Sequence, residues 1–359
     1  MKAALISLGS VSSKWTAEAM RKYFEEVDEI DIRYIEVTVG REGTKVLYKG
    51  ENLGEYDCIF GKGSFRYAEL MAAITSIYYD KCYMPIKQKS FTIVHDKLLT
   101  HLELQKHNIP MPLTYISATV SAARGILKRV NYPIIMKFPK GTQGKGVMVA
   151  DSYAGASSIL DALQSLRQPF IIQEYIETDG SDIRVMIVGD KVVASMVRRS
   201  SNDEKRSNIH AGGKGEATTL DSHTKKIAID TAKVLGGDIC GVDILESHRG
   251  PLVIEANISP GLQGITKATN INVADKMAKF LYLNTKEYLE KKKQKHTDKI
   301  MGDLGISNNK EDSKQLITTL DLRGNRLLLP QIMTGITKFN EMEEVTIEAK
   351  KGELKITKF

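Results

Sequence analysis

Two apolar stretches, close together in the chain, carry acidic and amide side chains within strand-like patterns. They are GVDIL at 241–245 and LVIEAN at 252–257. Side chains on a strand alternate between its two faces, so Glu255 and Asn257 are expected to point the same way. Asp243 lies on the neighbouring candidate strand. The pattern therefore predicts three oxygen-bearing side chains on one side of a hairpin.

These three residues provide hard oxygen donors and include no histidine or cysteine. Such a set favours magnesium or manganese over zinc. Magnesium also tends to take phosphate oxygens as ligands, which points to a nucleotide nearby. The alternative is that all three lie on the solvated face of ordinary strands. Their position inside apolar runs weighs against that alternative, and the candidate metal ligands are Asp243, Glu255 and Asn257.

A lysine and a glycine-rich turn form a second candidate site. Lys137 ends the apolar run 133–136, and the turn KGTQGKG follows at 140–146. Backbone N–H groups of such a turn approach phosphate oxygens closely, and a lysine adds a point charge. The turn matches neither a P-loop nor a dinucleotide fingerprint. Taken alone, a turn of this kind is more often a simple β-hairpin connection.

Polar residues end the next strand candidate, at 169–175. Gln173, Glu174 and Tyr175 are placed to bind an adenine edge, and Asp182 follows where it can hold ribose hydroxyls. Each of these signals is nonspecific by itself. They gain meaning only from their order after the lysine and the glycine-rich turn.

The polar segment 198–219 is predicted to be a long mobile loop. It begins with Arg198 and contains KRSN at 205–208, which includes Arg206, Ser207 and Asn208. Arginine binds phosphate and carboxylate groups bidentately through its planar fork. A closing loop with several arginines suits a reaction that must exclude water. The alternative is a solvated basic loop without a catalytic role.

The remaining segments alternate between strand and helix signals, which predicts an α/β architecture. Strands are expected at 3–7, 32–37 and 57–60, with a helix after the first strand that Ser12 and Ser13 cap. Later expectations are a helix at 96–107, a hairpin of 183–188 with 191–197, a helix at 223–235 and a closing helix at 271–290.

Composition excludes several classes of protein. Hydrophobic residues make up 42% and charged residues 26% of the chain, and no apolar run is long enough to span a membrane. The three cysteines show no CxxC spacing, which fits a reducing cytoplasm. The net charge is +7, but much of the excess lies in KKKQKHTDK at 291–299, which indicates a linker more than a nucleic-acid surface.

The ordered motifs together resemble the ATP-grasp superfamily and, within it, the RimK-type glutamate ligases. The matching stretches are Asp96-Lys97, Lys137 with the glycine-rich turn, QEYIE, SDIRVMIVGDKVVASMVRR, RSNIHAGG, GVDIL and RGPLVIEANISPGLQGI. The resemblance covers residues 1–290 and is clearest over 90–285. It implies an ATP-grasp fold preceded by an N-terminal α/β domain.

The resemblance also implies roles for individual residues. Lys97 and Lys137 match the lysines that hold ATP phosphates. The implied nucleotide contacts are Gln173, Glu174, Tyr175, Asp182, Arg206, Ser207 and Asn208. The implied catalytic residues are Arg198, Arg206, Asn208 and Lys137, and Ser259 with Gly261 resembles the loop near the acceptor.

The implied reaction consumes ATP with Mg²⁺ or Mn²⁺, two ions being expected. A carboxylate forms an acyl-phosphate and an amine then displaces phosphate. L-glutamate is the favoured amine, and the acceptor is a protein C-terminus or a coenzyme. An amino-group-carrier protein of lysine or arginine biosynthesis, a DNA-binding regulator with an ATP-grasp domain, and a bicarbonate-activating enzyme are the alternatives.

The domain boundaries follow from these assignments. We expect an N-terminal α/β domain at 1–92, a small ATP-grasp subdomain at 93–176, a large one at 177–285 and a charged linker at 286–315. Residues 316–359 resemble the swapped-hairpin AbrB-like fold and form a small β-rich module. This resemblance implies a homo-oligomer, a dimer or tetramer, and DNA binding is the weaker implication because glutamates dilute the basic charge.

Overall fold

The computed structural model describes residues 1–41, 43–139, 146–199, 214–303, 321–324, 326–329, 337, 339–340 and 344–358. The chain forms two units, Met1–Lys293 and Gln294–Phe359. The first unit contains the predicted site residues.

A three-stranded parallel sheet begins the chain. Its strands are β1 (Lys2–Ser7), β2 (Glu26–Asp31) and β6 (Cys58–Lys62), in the order β2-β1-β6. A second, antiparallel sheet contains β3 (Ile35–Gly40), β4 (Gly43–Tyr48) and β5 (Glu51–Asn52). The helices are α1 (Val11–Met20), α2 (Ala68–Tyr78) and α3 (Gln88–Ile93).

Two expectations for this region are wrong. The predicted strand 32–37 starts too early, because Ile32–Tyr34 form a 3₁₀ turn and strand β3 begins at Ile35. Strand β2, which pairs with β1, was not expected. The cap of α1 is Ser10, whose hydroxyl accepts from the backbone N–H of Ser13. Ser12 and Ser13 are buried within the first helical turn. Ser10 is the N-cap because its extended backbone directs the hydroxyl at the free amides of that turn.

A second region begins with α4 (Lys97–Lys106), whose N-terminus is capped by Asp96. Its antiparallel sheet has the order β7-β10-β8-β9, from Thr114–Tyr115 (β7), Ile134–Lys137 (β8), Val147–Ala150 (β9) and Ile171–Glu174 (β10). Helices α5 (Val120–Leu127) and α6 (Tyr153–Ser165) cover it. Buried apolar residues of this sheet and these two helices form a core of their own.

The third region is a five-stranded antiparallel sheet with the order β13-β12-β11-β14-β15. Its strands are β11 (Ser181–Val188), β12 (Lys191–Arg199), β13 (Lys214–Ala217), β14 (Ile239–Ser247) and β15 (Gly250–Asn257). The helices are α7 (Ser222–Leu235), α8 (Gln263–Thr269) and α9 (Val273–Asp303). Its core is continuous with that of the N-terminal sheet.

Two segments differ from the expected loops. Arg198 and Arg199 end strand β12, and 214–217 pair with it as β13, so both of these segments of the predicted loop 198–219 lie in strands. Residues 200–213 lie outside the described residues. Helix α9 extends to Asp303, well past the predicted end of the closing helix at 290, so the first part of the predicted linker is helical.

The second unit contains two hairpins among its described residues. Strands β16 (Asp321–Arg323) and β17 (Arg326–Leu328) form one, and β18 (Val345–Lys350) and β19 (Glu353–Lys358) form the other. These hairpins are compatible with a small β-rich module, while its likeness to the AbrB-like fold stays a prediction. No helix in the described part of the chain has the length and apolar character needed to cross a membrane.

Candidate functional site

Strands β14 and β15 bring the predicted metal ligands together. Asp243 lies directly opposite Glu255 in the register of the two strands, and Asn257 lies opposite Gly241. Directly opposed residues of an antiparallel pair project from the same face. The pairing therefore groups the three side chains as the hairpin pattern predicts, with Asn257 two residues beyond Glu255.

Asp243, on β14, is held by two arginines, one on the neighbouring strand β11 and one on β12, the next strand beyond it. Arg184 donates from Nε to Oδ1 at 2.7 Å and from a terminal nitrogen to Oδ2 at 2.6 Å. Arg198 approaches the same Oδ2 at 2.8 Å and also pairs with Asp182, with Nε lying 3.1 Å from each of its oxygens. Four charged groups thus form one network, and its two carboxylates are buried.

This network keeps Asp243 ionised. Burial alone raises the pKa of its carboxyl, but Arg184 and Arg198 outweigh burial and hold that pKa well below its usual range. Burial lowers the pKa of Arg198, and the carboxylates of Asp243 and Asp182 more than restore it. Both partners consequently carry full charge over the physiological range.

The donor set fits a hard divalent cation. A carboxylate offers about four lone-pair positions, and the arginines occupy three of those on Asp243, leaving one on Oδ1. Asn257 Oδ1 accepts from the backbone N–H of Ser259 at 2.8 Å and retains a second acceptor position. Glu255 adds a half-buried carboxylate. No group of three or more His, Cys, Asp and Glu side chains suited to a metal occurs within the described ranges, so this mixed set depends on the Asn257 amide.

Lys137 is buried and held in place by its neighbours. Its Nζ donates to Gln173 Oε1 at 2.8 Å, and Gln173 Nε2 donates to Thr114 Oγ1 at 2.7 Å. Burial, together with the nearby charge of Lys97, lowers the pKa of Lys137 to about 8, and Glu255 partly opposes them. Lys97, Lys137 and Glu255 therefore lie within one electrostatic neighbourhood. The Gln173 side chain positions this lysine, a role that the sequence analysis did not assign.

The other predicted nucleotide contacts are placed as follows. Glu174 Oε1 accepts from the backbone N–H of Leu113 at 2.8 Å and from Arg249 at 2.6 Å. Tyr175 follows the end of β10 and is half-buried. Asp182 already pairs with Arg198. A ribose hydroxyl would therefore bind a carboxylate oxygen of Asp182 that also accepts from Arg198. Arg206, Ser207 and Asn208 lie outside the described residues.

A cavity of about 350 Å³ opens beside Glu255 and Asn257. Ser259 of the predicted acceptor loop also lines it. Gly261 of the same loop is exposed, and an added Cβ there would meet no atom within 4 Å. The full lining is Leu8, Ser10, Ser13, Lys62, Gly63, Ser64, Phe65, Val94, His95, Lys97, Glu255, Ala256, Asn257 and Ser259. Its volume lies in the range of small-molecule sites.

Sequence reasoning missed several residues of this site. Lys62 ends an apolar strand, as Lys137 does, and that shared pattern is a signal that would have found it. Arg184 lies two residues after Asp182 on the same strand, and alternation would have placed both on one face. His95 gave no such signal. Burial and the nearby charge of Lys97 lower its pKa to about 4.

Comparison with known proteins decides the family. The model of the RimK-like ATP-grasp domain matches residues 94–281. "Probable alpha-L-glutamate ligase 2" of Pseudoalteromonas atlantica is 36% identical over 300 residues, which is 80% of this chain and 97% of that protein. The chain belongs to the RimK-like ATP-grasp family. "Probable alpha-L-glutamate ligase" of Cellvibrio japonicus is 35% identical over 293 residues, covering 80% of this chain and 97% of its own length.

Solved structures agree with this family in fold. The ATP-grasp ligase PsnB, complexed with minimal precursor, Mg and ADP, has a TM-score of 0.63 at 16% identity, over 79% of this chain and 97% of its own. A RimK domain ATP-grasp protein from Sphaerobacter thermophilus has a TM-score of 0.61 at 17% identity, over 78% of this chain and 99% of its own. As a RimK-like ATP-grasp protein, the chain is an ATP-dependent carboxylate–amine ligase that forms an amide.

Proposed function

We propose that this ligase joins L-glutamate to a carboxylate on a protein C-terminus or a coenzyme, by way of an acyl-phosphate. The names of the two relatives, both over 30% identical, support glutamate as the amine. The observation that carries the proposal is the cavity in which Lys97 meets Glu255, Asn257 and Ser259. It brings a cation, oxygen donors and the acceptor loop to one small volume.

The lysines of this site would hold the nucleotide. Lys97 lines the cavity, and Lys137 lies close enough to it for their charges to interact. Two ammonium groups beside one another repel, so an anion between them relieves that repulsion. A triphosphate is such an anion. In this proposal Lys137, oriented by Gln173, and Lys97 bind the phosphates and stabilise charge that develops on transfer.

Glu255, Asn257 and Asp243 would hold magnesium or manganese, with two ions expected. The bound metal supplies charge neutralisation on the phosphate oxygens. Arg184 and Arg198 fix the Asp243 carboxylate so that its remaining lone pair is directed. Arg198, Arg206 and Asn208 are the proposed contacts of the transferred phosphoryl group. The acceptor carboxylate attacks the γ-phosphorus, ADP leaves, and the amine nitrogen then displaces phosphate from the acyl carbon.

Adenine would bind at the end of β10. We assign its recognition to Gln173, Glu174 and Tyr175, and assign the ribose to Asp182. Glu174 supports the strand end through Leu113 and Arg249, which keeps the backbone of this segment in place. Ser207 and the glycine-rich turn complete the proposed nucleotide site.

The C-terminal unit would assemble the enzyme into a homo-oligomer. Large apolar side chains on its hairpins are exposed, among them Leu322 at 64% and Ile347 at 61%. Isolated two-stranded hairpins are marginally stable in water and gain stability by packing against another surface. A second copy of this unit supplies such a surface. DNA binding is the weaker alternative for this unit.

Three free, buried cysteines support a reducing cytoplasm as the location.

The test is ADP release with ATP, Mg²⁺ and single amino acids, in the presence of cell extract stripped of small amines. Products are identified by mass spectrometry. We expect ADP release that depends on L-glutamate, with a glutamyl mass increment on one acceptor. An increment on an amino-group-carrier protein would select that alternative acceptor. ADP release with bicarbonate but with no amino acid would contradict the proposal.

A further inference from the structure

The cavity has a wall that the proposed ligase chemistry does not use. This wall comes from the N-terminal sheet, where Ser7 of β1 and Lys62 of β6 are register partners at the carboxyl ends of adjacent parallel strands. The residues that follow each strand, among them Ser10 and Ser64, line the cavity. Crevices outside the carboxyl ends of parallel strands are where open α/β sheets bind ligands.

Lys62 is a buried cation at this wall. Its side chain lines the cavity but is only 5% exposed, and Nζ donates to the backbone carbonyl of Pro260 at 2.5 Å. An ammonium has three hydrogens to donate. Across the described parts of the chain, no carboxylate lies within ion-pair distance of Lys62. A buried ammonium without a counter-ion is unfavourable, so an anion bound beside Lys62 would stabilise its charged form.

A helix end adds partial positive charge to this wall, and two hydroxyl groups add hydrogen-bonding capacity. Ser10 and Ser13 line the cavity at the first turn of α1, a helix of 10 residues. The amino end of a helix carries partial positive charge, which favours an anion. The Pro260 carbonyl also ties Lys62 to the loop that contains Ser259 and Gly261. The wall is therefore joined to the proposed acceptor loop.

We propose that the wall of this cavity formed by the N-terminal sheet binds the amino-acid substrate and that Lys62 pairs with one of its carboxylates that does not react. The inference rests on the proposed glutamate ligation and deepens it. The volume of about 350 Å³ is at the small end of the range for small-molecule sites, which fits a free amino acid. Lys62 would make the site selective for a dicarboxylic amino acid, because a neutral side chain leaves the buried ammonium without a partner.

The test is calorimetric titration of L-glutamate into the full-length protein with Mg²⁺ and ADP present. Lys62→Gln is compared with wild type and with Lys14→Gln, which alters an exposed lysine of α1. We expect the Kd for L-glutamate to rise about ten- to a hundredfold in Lys62→Gln only, since a charge-assisted hydrogen bond is lost. The Kd for ADP stays unchanged, which also reports an intact fold.

Two neutral analogues identify the carboxylate. L-glutamine lacks the side-chain carboxylate, and L-isoglutamine lacks the α-carboxylate. Wild type should bind one of the two analogues more weakly than the other. Lys62→Gln should bind both with similar affinity, an effect that loosened packing would not produce. Lys62→Met replaces Lys62→Gln if the glutamine variant melts below wild type.

Several outcomes overturn the inference. Unchanged L-glutamate affinity in Lys62→Gln overturns it while the proposed function stands. Loss of ADP affinity together with L-glutamate affinity overturns it in favour of a nucleotide contact or a structural role. If wild type binds ADP but no L-glutamate, the inference and the proposed substrate both fail.

Discussion

Arg184 donates to both carboxylate oxygens of Asp243 across neighbouring strands, at 2.7 and 2.6 Å. The two side chains are 18% and 6% exposed, so water provides little compensation for either charge. Arg198, on strand β12, also contacts this carboxylate. A pair buried in this way positions a ligand group, and its members depend on each other.

Removing Arg184 should therefore destabilise the protein. Arg184→Met leaves Asp243 with only Arg198, and we expect the free energy of unfolding to fall by about 3 kcal/mol. Urea unfolding measures it. Arg249→Met is the matched control, because Arg249 pairs with Glu174 at the surface, where 48% of the arginine is exposed, and should cost under about 1 kcal/mol. Equal losses in both variants would show that burial does not govern this pair.

Lys137 should determine nucleotide affinity. Lys137→Met removes an ammonium held against Gln173, and we expect the Kd for ADP with Mg²⁺ to rise about ten- to a hundredfold. Gln173→Leu should cause a smaller rise, because the charge remains and only its orientation is lost. Lys191→Met alters an exposed lysine on β12 and serves as the control. Normal ADP binding by Lys137→Met would remove this residue from the site.

Asn257 should determine metal affinity. Asn257→Ala removes an oxygen donor that also accepts from the Ser259 backbone, so the Mg²⁺ needed for half-maximal ADP release should rise about tenfold or more. Asn257→Asp retains an oxygen and should cost less. Asn52→Ala, at an exposed position on β5, is the control. Equal Mg²⁺ requirements for wild type and Asn257→Ala would contradict the assignment.

The strands that hold this site were predictable because each carries its own pattern. GVDIL and LVIEAN are largely apolar runs that form buried strands, so β14 and β15 followed from the sequence. Strand β2 did not follow, since EVDEID buries only Ile30 and carries little apolar signal. It forms a strand because it pairs with β1. Tertiary pairing of this kind is not visible in a local window.

The charged network illustrates the same limit for the site. Asp182, Arg198 and Asp243 were each predicted to contact substrate or metal, and the register of β11, β12 and β14 joins them to one another. The sequence gives residue types and alternation along a strand. It does not give the order of strands in a sheet, which decides which charges meet.

Assembly through the C-terminal hairpins should depend on their exposed apolar residues. Replacing Leu322 and Ile347 together by glutamine should shift the full-length protein to a smaller assembly, because apolar area no longer leaves water on association. Light scattering after size exclusion measures the mass. Lys355→Gln on β19 is the control. An unchanged mass would place the interface elsewhere, and salt-dependent DNA binding by wild type would favour the alternative for this unit.

The pH dependence of stability should expose the buried charge of Lys62. Burial lowers the pKa of this ammonium to about 7, whereas an unfolded lysine keeps the ordinary value of 10.5. Between these pH values the unfolded state binds one more proton than the folded state, so this group makes stability rise with pH. The stability of wild type minus that of Lys62→Met should therefore grow by about 1 kcal/mol per pH unit from pH 7 to pH 9.

Urea unfolding at pH 7, 8 and 9 measures this difference. His95, Lys97 and Glu255 line the same cavity but are present in both proteins, so their contributions cancel. The free energy of unfolding of Lys14→Met should differ from that of wild type by the same amount at every pH. Saturating L-glutamate should weaken the pH dependence of this stability difference, because a carboxylate paired with Lys62 keeps the ammonium protonated in the folded state. Parallel curves for wild type and Lys62→Met without ligand would mean that Lys62 is not desolvated at this wall.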